Sequence, residues 1–356
     1  MFNYYQPFLR PFLRLQRYTL PQDVKRYYYF SFEDGLWDLL RNKGVPPDAT
    51  LLLPDFYCID VVGNIEQHGY RVRMYHLDDH FQADAEEVLP LCRKENASAL
   101  LLFHACGISC NLLSDQSFLE QLPPDLLLIE DGVHRLVDPA VVELINDRHF
   151  LIDSLRKDSP LPGSFLYGNT AALDFEQTRR QFSLYALGAT FWYAVFRLLL
   201  QLGFLLKLPN LVKYAHERTL QTHDDIIGDS EKSHRGWPWV PWIHRHFDFA
   251  RLEQVKATQV RHYQQVLEPL FSQNPDWYEV NFSPPDHGRL HVYPLGYKGR
   301  RGKEVLQALH KTGHIVWFKF PDAPWSQTRQ VLYLPLGFHI EGKEVEQVAR
   351  VLMESG

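Results

Sequence analysis

Strand-length stretches that are apolar at consecutive positions, set between helical stretches, restrict this fold more than any other feature. TLLLPDFYC (50–58), ASALLLFHACG (97–107), LLLIEDGVH (126–134) and HFLIDSLRK (149–157) do not alternate apolar and polar residues. A strand with that pattern is covered on both faces, as in a parallel sheet between two helical layers. The intervening stretches supply the helices: GLWDLLRNKG (35–44), CIDVVGNIEQHG (58–69) and DAEEVLPLCRKEN (84–96). YRVRMYHLD (70–78) and SFLYGNT (164–170) read as further strands. The expectation is an α/β fold with a mostly parallel sheet, whose chemistry gathers at the C-terminal ends of the strands. Phe56–Cys58, His104–Gly107, Asp131–His134 and Ser154–Lys157 fall there.

Charge and cysteine content narrow the function classes. The formal net charge is −6, which argues against a nucleic-acid binder. The one dense basic stretch, YKGRRGK (297–303), reads as a solvated loop. There are four cysteines and no export-type N-terminal segment, so a reducing cytoplasm is expected. His104, Cys106 and Cys110 do not suggest a metal site, because a fourth ligand is missing and successive strand positions face opposite ways.

The N-terminal twenty residues, rich in aromatic residues, arginine and proline, read as an arm that packs on something, with a partner subunit one choice. Residues 183–209 are apolar enough to raise a membrane span, but Arg197 and Gln201 lie within them. A helix packed on protein, or lying at a bilayer surface, suits them better than a span. Residues 223–247 read as a long loop rich in tryptophan and proline, followed by a helix. From about residue 275, short strands and two helices indicate a small C-terminal α/β domain. The boundaries expected are 1–26 for the arm, 27–210 for the large domain, 211–274 for the connecting loop and helix, and 275–356 for the small domain.

Asp131 and Lys157 stand at the ends of successive strands. A buried carboxylate needs a cationic or hydrogen-bonding partner. A planar ligand with a cationic ring nitrogen and an aldehyde would engage both residues, and pyridoxal phosphate is such a molecule. A bland alternative stays open on these residues alone: Asp131 as a helix cap and Lys157 as a surface lysine.

Ordered landmarks over residues 28–350 resemble the DegT/DnrJ/EryC1/StrS aminotransferases. They are LLLPDFYCIDVVGNIEQHGYRVRMYHLD (51–78), LLLFHACG (100–107), LLLIEDGVHRL (126–136), LIDSLRKDSPLPG (151–163) and YLPLGFHIEGKEVEQVARVL (333–352). The resemblance implies a pyridoxal-phosphate-dependent transferase of fold type I, with a seven-stranded large domain and a small C-terminal domain. It implies Lys157 as the lysine that bonds the cofactor aldehyde, Asp131 at the pyridine nitrogen, His134 in the pocket and Ser154 on the phosphate. It also implies a homodimer, an amino-acid donor and a keto-sugar or related carbonyl acceptor.

Phe56, Tyr57 or His104 could stack on the ring, and Ser31 stands where the family begins its phosphate-binding turn. The chain departs from the family at that turn. SFEDGL (31–36) places Phe32 at a glycine position and brings Glu33 and Asp34 to a helix N-terminus, where a phosphate would be expected. The usual G-x-N-x-R-M segment is absent, and VRHYQQ (260–265) stands near the family's R-R-x-N-Y. These departures keep a second class open: a non-catalytic relative serving as scaffold, partner subunit or small-molecule sensor.

Overall fold

The computed structural model describes residues 8–177, 184–228 and 237–354. Its main sheet has seven strands: β1 (Val24–Tyr29), β2 (Thr50–Pro54), β3 (Arg71–Tyr75), β4 (Ala97–Phe103), β5 (Leu127–Gly132), β6 (His149–Asp153) and β7 (Ser164–Asn169). Their order is β1-β7-β6-β5-β4-β2-β3. Strands β3, β2, β4, β5 and β6 run parallel, whereas β7 is antiparallel to both β6 and β1. Every residue of β2 and β6 is buried, as the unbroken apolar runs require.

Strand β1 begins at Val24, inside the segment expected to be an arm. Its sequence, VKRYYY, carries no apolar run, because an edge strand is covered on one side only. Pairing with β7 makes it a strand, and the Arg26 guanidinium lies 3.9 Å from the Phe165 ring centre. Ahead of it, Phe12 packs on Phe247 and Phe338 of the same chain, at ring separations of 5.3 and 5.0 Å. That stretch of the arm therefore seals its own subunit.

The helices of the large layer are α1 (Phe32–Asn42), α2 (Ile59–Gln67), α3 (Ala85–Lys94), α4 (Gln116–Gln121) and α5 (Leu155–Asp158). Helix α1 starts three residues before the expected Gly35, because the Ser31 hydroxyl accepts the Asp34 N–H at 3.1 Å and caps it. Its Leu36, Leu39 and Leu40 are fully buried.

The apolar segment expected at 183–209 is a helix, α6 (Leu184–Leu205), followed by a turn and α7 (Pro209–Gly228), which packs against it. Gly203 permits the close approach, since a Cβ there would stand 2.8 Å from the Val212 side chain. Arg197 is buried, whereas Phe191, Trp192, Leu198, Leu202 and Leu205 are exposed. Among the described residues no helix is long and apolar enough to cross a membrane. Much of the long loop expected at 223–247 is helical: α7 runs to Gly228 and α8 spans Trp239–His244. Residues 229–236 of that expectation lie outside the described residues.

Helix α9 (Phe249–Gln273) buries Leu252, Lys256, Val260, Tyr263, Leu267 and Leu270, one residue per turn. It leads to an antiparallel sheet of β8 (Trp277–Glu279), β9 (Val292–Tyr297) and β10 (Gln330–Pro335), in the order β10-β9-β8. Helices α10 (Gly302–Lys311) and α11 (Gly342–Glu354) accompany it. Between α10 and β10, Phe318 makes an isolated bridge to Leu332 and lies outside the named strands.

Candidate active site

The C-terminal ends of β4, β5 and β6 open into a cavity of about 520 Å³. Strand register decides which side chains reach it. Asp131 pairs with Phe103 on one side and Ile152 on the other, so these three share a sheet face. Asp131 and Phe103 line the cavity. Glu130 and His104, one position away along their strands, fall on the opposite face.

Asp131 sits at the cavity floor, 2% exposed. Its Oδ1 accepts the Val133 N–H at 2.9 Å, and its Oδ2 accepts the Tyr57 hydroxyl. Burial pushes its pKa up to about 7; the two donors and the Lys157 charge pull it down, and the Glu33 carboxylate pushes it further up. Two carboxylate oxygens carry about four acceptor positions, so a third donor can still be accepted.

Lys157 lines the same cavity. Strand β6 ends at Asp153, however, so Lys157 is carried by the one-turn helix α5 and not by the strand end expected for it. Three features hold that turn. The Asp153 Oδ1 accepts the Phe165 N–H at 2.6 Å, tying the strand end to β7. Asp158, next to Lys157, is bonded to the fully buried Lys256 ammonium, and His291 Nδ1 lies 3.5 Å from it. Gly163 closes the loop at φ +93°, where a Cβ would stand 2.2 Å from the Tyr28 hydroxyl. Only glycine suits both the conformation and the space.

His134 also lines the cavity, and its ring stacks on Phe320 with centres 5.6 Å apart. Burial, helped by the nearby Lys157 charge, drives its pKa well below the ordinary value, so the imidazole is neutral. Its Nδ1 is 3.2 Å from the Tyr333 hydroxyl. Phe103 packs against both His134 and Tyr57, at 4.9 and 5.3 Å. Ser154 and Ser31 are on the wall as well. The Ser31 hydroxyl is committed within α1: it accepts from Asp34 N–H and donates to Asp34 Oδ2 at 2.9 Å.

Two residues expected at the ring lie elsewhere. Phe56 is fully buried in an aromatic cluster with Phe81, Phe320 and Trp325, at 4.7, 5.1 and 4.9 Å. His104 turns to the far face, where its Nε2 donates to Glu130 Oε1 at 2.7 Å while its Nδ1 accepts the Cys110 N–H at 3.1 Å. The carboxylate between His104 and His149 is held well below the usual range: burial opposes this, but both imidazoles outweigh it.

Phe103, Val133, Arg156 and Lys319 are among the wall residues that the sequence had not singled out as contacts. Phe103 was accessible to reasoning, since a residue in register with Asp131 must share its face. Lys319 comes from the region of the second sheet, and no local pattern connects it to Lys157. It also lines an adjoining cavity of about 330 Å³ that is rich in aromatic residues.

The donor set suits a pyridoxal ring. One buried carboxylate has acceptor capacity to spare, an amine shares its cavity, and the wall between them is aromatic. For an anion, Ser154 and Arg156 provide hydroxyl and guanidinium donors, with Glu33 among them.

The sequence matches no family model and no curated protein. The fold does match solved structures. One is Spr1654 of Streptococcus pneumoniae, assigned as a sugar aminotransferase and solved in its PMP form: 12% identity, TM-score 0.59, covering 96% of this chain and 93% of that one. A second is 3-amino-5-hydroxybenzoic acid synthase, at 12% identity and TM-score 0.59, covering 93% and 86%. A third is DesI, solved with its TDP-sugar product, at 15% identity and TM-score 0.56, covering 92% and 80%. The chain has the fold-type-I architecture of the pyridoxal-phosphate-dependent transferases.

Proposed function

We propose that this protein is a pyridoxal-phosphate-dependent aminotransferase that moves an amino group from an amino acid to a keto-sugar or a related carbonyl compound. The observation that carries this reading is the joint presence of Asp131 and Lys157 in one cavity at the C-terminal edge of the sheet. When bound, pyridoxal phosphate supplies a reactive aldehyde and a ring able to accept an electron pair.

This chain's own residues then have separable tasks. Asp131 holds the ring nitrogen, and its low-dielectric surroundings strengthen that contact. Lys157 Nζ would bond the cofactor's aldehyde carbon with loss of water and, once displaced by the amino donor, would carry the proton from the substrate carbon to the cofactor's aldehyde carbon. The neutral His134 and Phe103, whose rings are tilted 55° to one another, would bound a planar ligand on the cavity wall. Ser154 and Arg156 take the phosphate. The adjoining aromatic cavity reached past Lys319 is where the acceptor substrate would enter. A homodimer and a cytoplasmic location belong to the same proposal. The reading as a non-catalytic relative draws on Phe32 and the Glu33 carboxylate at the anion end and on the altered middle loop.

The test is aldehyde capture. Protein incubated with pyridoxal phosphate, reduced with borohydride and digested should carry one adduct, on Lys157. Lys157→Ala should carry none, and a screen of amino donors with keto-sugars should then show turnover in the unmodified protein. An adduct spread over surface lysines, with Lys157 unmodified, would sink the proposal.

A further inference from the structure

Resting on that reading, we propose that Glu33 is a charge filter for the cofactor: its carboxylate fills the anion position of the cavity, so the site discriminates against the phosphate ester relative to phosphate-free pyridoxal. The cavity wall includes Ser31, Phe32 and Glu33, which are the cap and first two residues of α1. The unsatisfied N–H groups of a helix N-terminus are where an anion settles. Here the chain supplies its own acceptors to part of that turn, the Ser31 hydroxyl taking the Asp34 N–H. Asp34 and Ser31 cap one another. Burial pushes the Glu33 carboxyl up from its ordinary value, while its own backbone N–H and the Arg156 charge pull it down and favour the anion.

The Glu33 side chain does not escape to solvent. The residue is 5% exposed, and its charge is felt at both Asp131 and Tyr57 on the cavity floor. A phosphate dianion entering this turn therefore meets a buried like charge, whereas the pyridoxal hydroxymethyl group does not. Glutamine at this position would preserve the side-chain volume and remove the repulsion.

The experiment titrates the full-length protein and Glu33→Gln with pyridoxal 5′-phosphate, pyridoxal and inorganic phosphate, following tryptophan fluorescence. The substitution should tighten pyridoxal phosphate and inorganic phosphate by at least about tenfold, and change pyridoxal by less than about twofold. An unchanged ratio of the two aldehyde affinities overturns the proposal. Glu33→Ser provides a second neutral variant, with circular dichroism to show that each is folded. If neither aldehyde binds either protein while Glu33→Gln gains phosphate affinity, the aminotransferase reading fails and the filter stands. If phosphate affinity does not rise either, both fail.

Discussion

Lys256→Met tests how the reactive lysine is held. Lys256 is fully buried on α9, bonds Asp158 and donates to the Leu290 carbonyl at 2.8 Å. Burial pushes the Asp158 carboxyl up, but Lys256 and His291 outweigh it and hold the group below its ordinary range. Methionine keeps the packing and removes the ammonium, leaving a buried carboxylate that faces only His291. Breaking a buried pair from one side costs about 3–5 kcal/mol. The sign of the pH dependence follows from the depressed folded pKa. The stabilisation is present above the unfolded value of about 4 and is lost as pH falls through the folded value. In the variant the unpaired Asp158 takes up a proton more readily, so the penalty is largest near neutrality and shrinks toward acid. Urea unfolding of both proteins at about pH 7 and about pH 5 measures it. Lys256→Met/Asp158→Asn should recover most of the loss, since no buried charge is stranded. A penalty below about 1 kcal/mol at neutral pH, or one that does not change with pH, would refute the account of Asp158 as an anchor.

Three further substitutions separate the cavity from its surroundings. Tyr57→Phe removes a donor that holds down the Asp131 pKa, which burial nevertheless raises to about 7. The acid limb of cofactor affinity against pH should move up by about one unit, and an unmoved limb would show that the hydroxyl does not tune Asp131. Phe56→Ala empties the centre of an aromatic cluster and should cost about 3–5 kcal/mol in urea unfolding. Its folded fraction should still form the Lys157 adduct; loss of that adduct in folded protein would mean Phe56 touches the ligand after all. Gly163→Ala adds a Cβ at φ +93° against the Tyr28 hydroxyl, which itself donates to Pro162 O at 2.6 Å. It should cost about 1–3 kcal/mol and weaken aldehyde capture, and a rise in thermal midpoint would contradict the strain assigned to this turn.

What the chain discloses in advance depends on how local the cause is. The buried parallel strands are legible because two-sided burial imposes unbroken apolar runs, as in Leu51–Leu53 and Leu100–Phe103. Strand β1 is not, because its partner β7 lies some 140 positions away in sequence and its outward residues are polar. The break between α6 and α7 falls at Leu206–Leu208, where every residue but Lys207 is apolar and Lys207 takes φ +54°. Hydropathy reads straight through such a turn, since the bend comes from backbone conformation and from Pro209, not from polarity.

The site divides in the same way. Asp131 and Lys157 stand out as charged groups at the ends of apolar runs, and the cavity contains both. Whether His104 or its neighbour Phe103 reaches the cavity turns on one step of strand register. A histidine invites chemistry by its type, but a strand alternates faces with a period of two, and the pairing of Phe103 with Asp131 commits His104 to the other side of the sheet. There it meets Glu130, which is in turn bound by the alternation of β5 to face away from Asp131. The two neighbouring acids thereby end with opposite electrostatics. Glu130, between two imidazoles, is stabilised as an anion, while burial, seconded by the charge of Glu33, raises Asp131 to about 7 against the pull of the Tyr57 hydroxyl. Register alone separates an acid locked into the structure from one poised to exchange a proton with a ligand.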